Sequence, residues 1–474
     1  MNYKKEKPSI LWYDLETFGL NSHYDRIAQF AAIRTDESFN VIGKEIVLYC
    51  KLSHDYLPDP LACLITGITP YTVNENGLNE DDFIKQIREE FSVPNTVVTG
   101  YNSINFDDEF IRNSLYRNLY DPYEREYKNG CSRWDIINLV RAAYDLRPEG
   151  IKWPPKKENG NPSFKLTDIT SANNIEQIGA HDALVDVRAT IEVARLIKTN
   201  QSKLYKWSFD HRKKQLMKNL LKAPFGEPVL HTHPFYTSKN GCTSLVMPIT
   251  FDLVNANNVI CFNLQEDITP LIEADEENIL FSQGIVKIAY NKCAFVSPLA
   301  VLTPRLEKKL NIDKQEVLSR ATTLKNHPEL IIKIRKALSN QDIKQIEDTD
   351  FQIYNGFFKD ADNKRFKLIH TASPKEKLQL HDALQFDDPR AKELIYRHVL
   401  RNYLQYQSDT VKEEWKSFCS HRIVSPPGNI MINLDFYNRK IKEKLAADNL
   451  SENEKLILLD LLNYGQELTN ELFN

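Results

Sequence analysis

Asp14 and Glu16 stand two residues apart at the end of an apolar run, Ile10-Leu11-Trp12-Tyr13. On a strand, alternate side chains share a face, so both carboxylates point the same way. Like charges at short range repel, and the repulsion is costly where the surroundings are half-buried. A cation relieves it. Oxygen ligands of this kind select hard divalent ions such as Mg²⁺ or Mn²⁺. Taken alone, an Asp-x-Glu triplet is at least as well explained as a solvated strand end.

Two further segments shift that balance. Asp107, in NFDDEF, follows a predicted strand and opens a predicted helix. His181 and Asp186, in HDALVD, are five residues apart at the head of another helix. That is about one and a half helical turns, so only a loop-to-helix geometry lets them converge. Each has a plain alternative: a helix cap for Asp107, a surface loop for His181, a solvated acid for Asp186. The ordered set is what matters. It runs Asp-x-Glu on strand one, Asp after the middle strand, then His and Asp before the last helix of one domain.

The elements that must position these groups are legible in outline. Residues 10–15, 27–34 and 41–49 are rich in β-branched and aromatic residues with short polar gaps, which predicts an antiparallel meander. DDFIKQIREEF (81–91) puts Phe83, Ile84, Ile87 and Phe91 on one helical face. TVVTGY (96–101) reads as a buried strand, and DDEFIRNSLYRNLY (107–120) as a helix opened by acids. SRWDIINLVRAAY (132–144) has Ser132 and Asp135 at capping-box spacing and is expected to be a helix throughout. ALVDVRATIEVARLIK (183–198) is amphipathic. Strands first and then alternating helices and strands predict an α/β sheet with helices on its faces.

The chain has 474 residues, which suits about three domains. A basic stretch broken by Ala223-Pro224-Phe225-Gly226 marks a boundary. Strand-like runs follow (SLVMPITFDL, NVICFNL, GIVKIAY, AFVSPL), then helices from about 304 to 346 and an almost wholly helical stretch from about 375 onward. No apolar run is long enough for a transmembrane helix, and the N-terminus lacks a signal-peptide core. Seven scattered cysteines without a CxxC pair exclude a thiolate zinc site and suit a reducing cytoplasm. A net charge of −4 excludes bulk attraction to nucleic acid but leaves room for a local basic groove.

The ordered acids resemble the DEDD exonuclease superfamily, in its branch with a histidine in the last motif. Longer motifs resemble the bacterial exodeoxyribonuclease I family over essentially the whole chain. They are YDLETFG (13–19), NFDDE (105–109), YRNLYDPY (116–123), SRWD (132–135), LRPEGI (146–151), AHDALVDV (180–187), YNKC (290–293) and YNGFF (354–358). The resemblance implies a ribonuclease-H-like exonuclease domain (1–200), an SH3-like β-domain (201–350) and a C-terminal all-helical domain (351–474), together wrapping a groove. It implies 3′→5′ hydrolysis of single-stranded DNA to 5′-mononucleotides in repair and recombination. Two Mg²⁺ ions, with Mn²⁺ able to substitute, would be held by Asp14, Glu16, Asp107 and Asp186. Glu16 would also face the terminal nucleotide, and His181 would be the general base. An exoribonuclease of the same superfamily and a catalytically dead single-strand-binding scaffold are the competing readings.

Holding a single strand needs cations along the phosphates and aromatic faces for the bases. Thr17, Phe18 and Leu20 follow the metal acids directly, where a 3′-terminal nucleotide would lie. By resemblance Lys165, Arg112, Tyr123, Tyr127 and Arg141 are further contacts. Arg112 has a plain alternative in an i,i+4 pair with Asp108, and Tyr123 in core packing. The run HRKKQLMKNLLK (211–222) puts Lys214, Lys218 and Lys222 on one helical stripe, with Lys214 foremost as a groove residue. The family also docks the C-terminal tail of single-stranded-DNA-binding protein, and Arg147 matches one position of that pocket. Glu227 is acidic near where a cation is expected. A monomer is expected.

Overall fold

The computed structural model describes residues 7–177, 182–340, 346–447 and 449–473. His181 lies outside the described residues. The first sheet has five strands: β1 (Ser9–Thr17), β2 (Ile27–Thr35), β3 (Ile46–Tyr49), β4 (Thr96–Gly100) and β5 (Ser132–Asp135), in the order β3-β2-β1-β4-β5. β1, β2 and β3 pair antiparallel, and β4 and β5 add in parallel on the other side. β1 is therefore central and nearly all buried, which its continuous apolar run anticipates. The helix Ala183–Asn200 lies across β1 and β2.

The expected helix over 132–144 divides. SRWD is strand β5, and the helix begins at Ile136 with Asp135 as its cap, accepting from the Ile137 amide at 3.0 Å. A capping residue has extended backbone, so one Asp can end a strand and start a helix. The third strand is also shorter than expected: residues 46–49 form the ladder with β2, and Val41 adds only an isolated bridge to Thr35.

The second sheet is antiparallel throughout. It comprises β6 (Val229–Thr232), β7 (Thr243–Phe251), β8 (Asn258–Asn263), β9 (Ile285–Ala289) and β10 (Phe295–Pro298), in the order β10-β6-β7-β8-β9. β6 is the four-residue run VLHT, too short to stand out in the sequence. Helices between Pro304 and Ser339 cover this sheet, and residues from Asp360 onward are helical apart from short connections. Those last helices share a core with the first domain: Phe18, Tyr24, Tyr56 and Leu57 pack with Leu400, Trp415, Tyr437 and Leu458.

Motifs that the sequence singled out without a role are interdomain joints. Arg133 on β5 donates to the Asn291 carbonyl of YNKC at 2.7 Å, and Cys293 Sγ donates to the Arg133 carbonyl at 3.2 Å. Tyr354 of YNGFF donates to Glu109, and Phe357 meets Tyr123 edge-on at 5.4 Å.

Candidate active site

Asp14 and Glu16 lie on β1 opposite Ala31 and Gln29 of β2. The ladder slips between Glu16 and Thr17, a bulge that turns the chain just beyond the acids. β4 runs close alongside. A Cβ on Gly100 would sit 2.6 Å from the Tyr13 carbonyl, so only glycine admits this approach beside Asp14.

Asp186 comes from the first turn of the helix Ala183–Asn200. Asp182 caps that helix by accepting from the Leu184 amide at 2.9 Å, and Gln29 of β2 accepts from the Ala183 amide at 3.2 Å. The helix start is thus tied to the strand that faces Glu16. Ligand oxygens of Asp14, Glu16 and Asp186 all lie within 4.8 Å of one another. Gln177 donates to Asp186 at 2.6 Å, and Thr170 donates to Gln177 at 2.7 Å.

Asp107 is buried at the first position of the helix Asp107–Arg117, where the helix dipole favours an anion. Its neighbour Asp108 anchors that helix end. It receives the Tyr13 hydroxyl at 2.8 Å, Arg125 at 2.8 Å and Arg133 at 2.6 Å. Asp135 adds a second tie, accepting from the amides of Asn102 at 2.9 Å and Ile104 at 3.1 Å in the loop leading to Asp107.

The electrostatics follow from the crowding. Burial, and then the charges of Asp107 and Asp186, hold the Asp14 carboxyl well above the usual carboxylate range. Burial together with Asp14, Asp186 and Asp182 lifts Glu16 to about 9. Asp107 is raised by burial and by the charges of Asp108, Asp135 and Glu16, against the hydrogen bond to its own amide. Asp108 behaves oppositely: burial would raise it, but Arg125, Arg133 and Arg112 outweigh that and hold it below the ordinary value. Asp14, Glu16 and Asp107 are thus raised by carboxylate charges within one cluster that includes Asp186, while the adjacent Asp108 is compensated by arginines. An all-oxygen donor set of this kind fits hard divalent cations.

The expected substrate residues fall into two groups. Leu20, Tyr127, Lys165 and Arg147 are exposed, whereas Thr17 is buried and donates to the Gly19 carbonyl at 2.7 Å. Phe18 is wholly buried in the core shared with the C-terminal helices, so its ring is a packing element. Arg112 is also buried. It pairs with Glu109 and Glu126, both at 2.8 Å, instead of with Asp108, whose oxygens Arg125 and Arg133 occupy. Its guanidinium lies 5.3 Å over the Tyr123 ring. Arg141 is buried and donates to Asn138 at 3.1 Å. The helix carrying Lys214 and Lys218 ends at Leu220, so Lys222 is off the predicted stripe. Lys214 donates to Asn257, and Lys218 lies 5.7 Å over the Tyr290 ring. Glu227 pairs with Lys325 at 3.2 Å, which places a cation beside the unexpected acid.

Sequence reasoning missed Asp108, Asp182, Gln29 and Gln177 as residues that position or surround the site. The Asp107-Asp108 doublet was the available signal for the first. The others need the fold.

A five-stranded sheet of this order, with acids gathered at the end of its central strand, defines a ribonuclease-H-like exonuclease. The comparisons extend this to the whole chain. Residues 11–194 match the RNase_T exonuclease model, residues 212–340 the exonuclease I SH3-like domain, and residues 347–468 the exonuclease I C-terminal domain. Exodeoxyribonuclease I of Buchnera aphidicola from Schizaphis graminum is 38% identical over 470 residues, covering 97% of this chain and 96% of its own. The Escherichia coli K12 protein of that name is 40% identical over 417 residues, covering 85% and 87%. E. coli exonuclease I in complex with a dA16 oligonucleotide superposes with a TM-score of 0.92 at 35% identity, covering 98% of this chain and all of the other. The ExoI/SSB-Ct complex superposes at 0.90 and 35%, with the same coverage. The chain belongs to the exodeoxyribonuclease I family.

Proposed function

We propose that this enzyme degrades single-stranded DNA from the 3′ end, releasing 5′-mononucleotides, with Mg²⁺ as the working metal. The observation that carries the reading is the gathering of Asp14, Glu16 and Asp186 within 4.8 Å, with the buried Asp107 near enough for its charge to raise Asp14. These four carboxylates would hold two divalent cations, which supply a stronger nucleophile and stabilise the departing 3′ oxygen.

The protein's own groups do the rest. Glu16 orients the terminal nucleotide. His181 takes the proton of the attacking water as general base. Arg125 and Arg133 keep Asp108 ionised and so fix the helix end that presents Asp107. Exposed Leu20, Tyr127, Lys165 and Lys214 supply the apolar and cationic faces along the strand, as binding without base readout requires. Arg147 contributes to docking the tail of single-stranded-DNA-binding protein. The enzyme works in the cytoplasm, where its seven free, buried cysteines stay reduced.

Matched DNA and RNA single strands, labelled at either end, test this with and without chelator. Metal-dependent release of nucleotides from the 3′ end of DNA, abolished by Asp186→Ala, is the expected result. Preference for RNA would move the chain to the exoribonuclease reading. Chelator-insensitive binding without release would mark a scaffold.

A further inference from the structure

A second cluster of metal-ligating side chains lies away from the nuclease acids, where the first domain meets the C-terminal helices. Asp81 belongs to the helix Glu80–Phe91, His370 to Asp360–Thr371 and His398 to Arg390–Tyr403. His370 Nδ1 is 3.9 Å from Asp81 Oδ1, and His398 Nε2 is 3.7 Å from Asp81 Oδ2. One ligand atom from each of the three lies within 4.8 Å of the other two. Asp81 and His398 are buried, and His370 is nearly so.

The remaining hydrogen bonds assign the imidazole tautomers. His370 Nε2 faces the Leu119 carbonyl at 3.4 Å, an acceptor only, so it carries the proton and Nδ1 keeps its lone pair. His398 Nδ1 faces Asn118 Oδ1 at 3.1 Å. That amide is oriented by its own nitrogen, which donates to the Ser114 carbonyl at 2.9 Å. The Asn402 amide nitrogen also lies 3.4 Å from Nδ1, but its two hydrogens go to Asn118 Oδ1 at 3.1 Å and the His398 carbonyl at 2.8 Å. His398 Nδ1 therefore carries the proton, and its Nε2 lone pair has no hydrogen-bond partner although it is buried. Burial also pushes His398 down to about 4, so a neutral ring is its state at pH 7.

Two lone pairs and one carboxylate thus converge, each within 4.8 Å of the other two. Each imidazole donates its outer N–H to an oxygen, the arrangement that orients histidine metal ligands. The carboxylate is itself held, by the Tyr120 hydroxyl at 3.2 Å and the Tyr403 hydroxyl at 2.7 Å. Lys377 and Arg88 are nearby cations, but the Lys377 ammonium donates to the Ile369 carbonyl at 2.6 Å and Arg88 pairs with Glu124.

We propose that Asp81, His370 and His398 form a binding site for a borderline transition-metal ion of the Zn²⁺ class, clasping the exonuclease domain to the C-terminal helices. Two nitrogens and one oxygen suit Zn²⁺ better than Mg²⁺ and leave one position for water.

The test uses the full chain carrying Asp14→Asn and Asp186→Asn, which disables the nuclease acids. After zinc loading and dialysis, this background is expected to retain one Zn²⁺ per chain and to melt at a higher temperature than after chelation. Adding His370→Ala, which removes the most exposed of the three ligands, is expected to abolish both effects. Co²⁺ in place of zinc gives a visible spectrum that His370→Ala or His398→Gln removes. A background chain that retains no zinc, or a His370→Ala chain that retains as much, overturns the proposal.

Discussion

At the scale of single residues, the site is a set of acids held in a state they would not choose alone. Burial and mutual repulsion lift Glu16 to about 9, far above the unfolded value of about 4.3. A raised carboxyl penalises folding above the unfolded pKa, and the penalty grows until pH reaches the folded one. Without metal, Glu16→Gln is therefore expected to raise the melting temperature, by more at pH 8 than at pH 5. Scanning calorimetry at the two pH values checks it; a gain independent of pH would contradict the assigned cause. An unperturbed imidazole loses its proton near pH 6.5, so a general base at His181 predicts a rate that climbs between pH 6 and 8. The climb is expected to vanish in His181→Ala, at a rate lower by about 10²–10⁴. A fully active alanine variant would remove His181 from the mechanism.

At the scale of elements, the acids are placed by joints around them. Asp108 takes Arg125, Arg133 and Tyr13 at once, which pins the helix bearing Asp107 against β1 and β5. Removing one partner of a buried ion pair costs about 3–5 kcal/mol, because the other charge stays buried. Arg133→Met is expected to lose stability on that scale in urea unfolding and to slow turnover, since it also frees the Asn291 carbonyl of the second domain. Asp108→Asn is expected to cost less in the Arg133→Met background than in the wild type, because the two share one ion pair, but not nothing, since Arg125 stays buried beside it. The elements that the sequence misdrew were the short ones. SRWD reads as the head of an amphipathic helix because the capping pattern and the periodicity run on without a break. Its strand pairing with β4 is a long-range contact that no local pattern encodes. β6 was invisible for the same reason.

At the scale of the whole molecule, a buried charge cluster fastens the C-terminal helices to the first domain. Arg401 meets Asp55 at 2.7 Å and Asp350 at 2.6 Å, and Arg422 meets Asp350 at 2.9 Å and Asp348 at 2.7 Å. Glu80 pairs with Arg117 at 2.7 Å beside them. Burial opposes these charges, but the arginines outweigh it and hold Asp55 and Asp350 below their ordinary range and Glu80 down to about 2. A depressed carboxyl stabilises the fold above its unfolded pKa, and that contribution is lost as pH falls toward the folded value. Stability is expected to drop steeply from about pH 4.3 down to pH 2, and less steeply in Glu80→Gln. Urea midpoints across that range measure it; parallel slopes in the two proteins would assign the acid sensitivity elsewhere.

The α/β character of the first domain, its ordered acids and the family were legible in the chain alone, because strand alternation and motif spacing are written in the order of the residues. Asp14 and Glu16 had to share a face, and an ordered set of acids is hard to explain otherwise. Tertiary structure alone decided which cations were free. Arg112 and Arg141 read as groove residues, yet they are buried in contacts with Glu109, Glu126 and Asn138. Phe18 likewise went to the shared core. A charge or a ring is fixed by what surrounds it in three dimensions, and partners far apart in the chain leave no mark at the position itself. The meeting of Asp81, His370 and His398 is of that kind, since nothing in three separate helices announces that they converge.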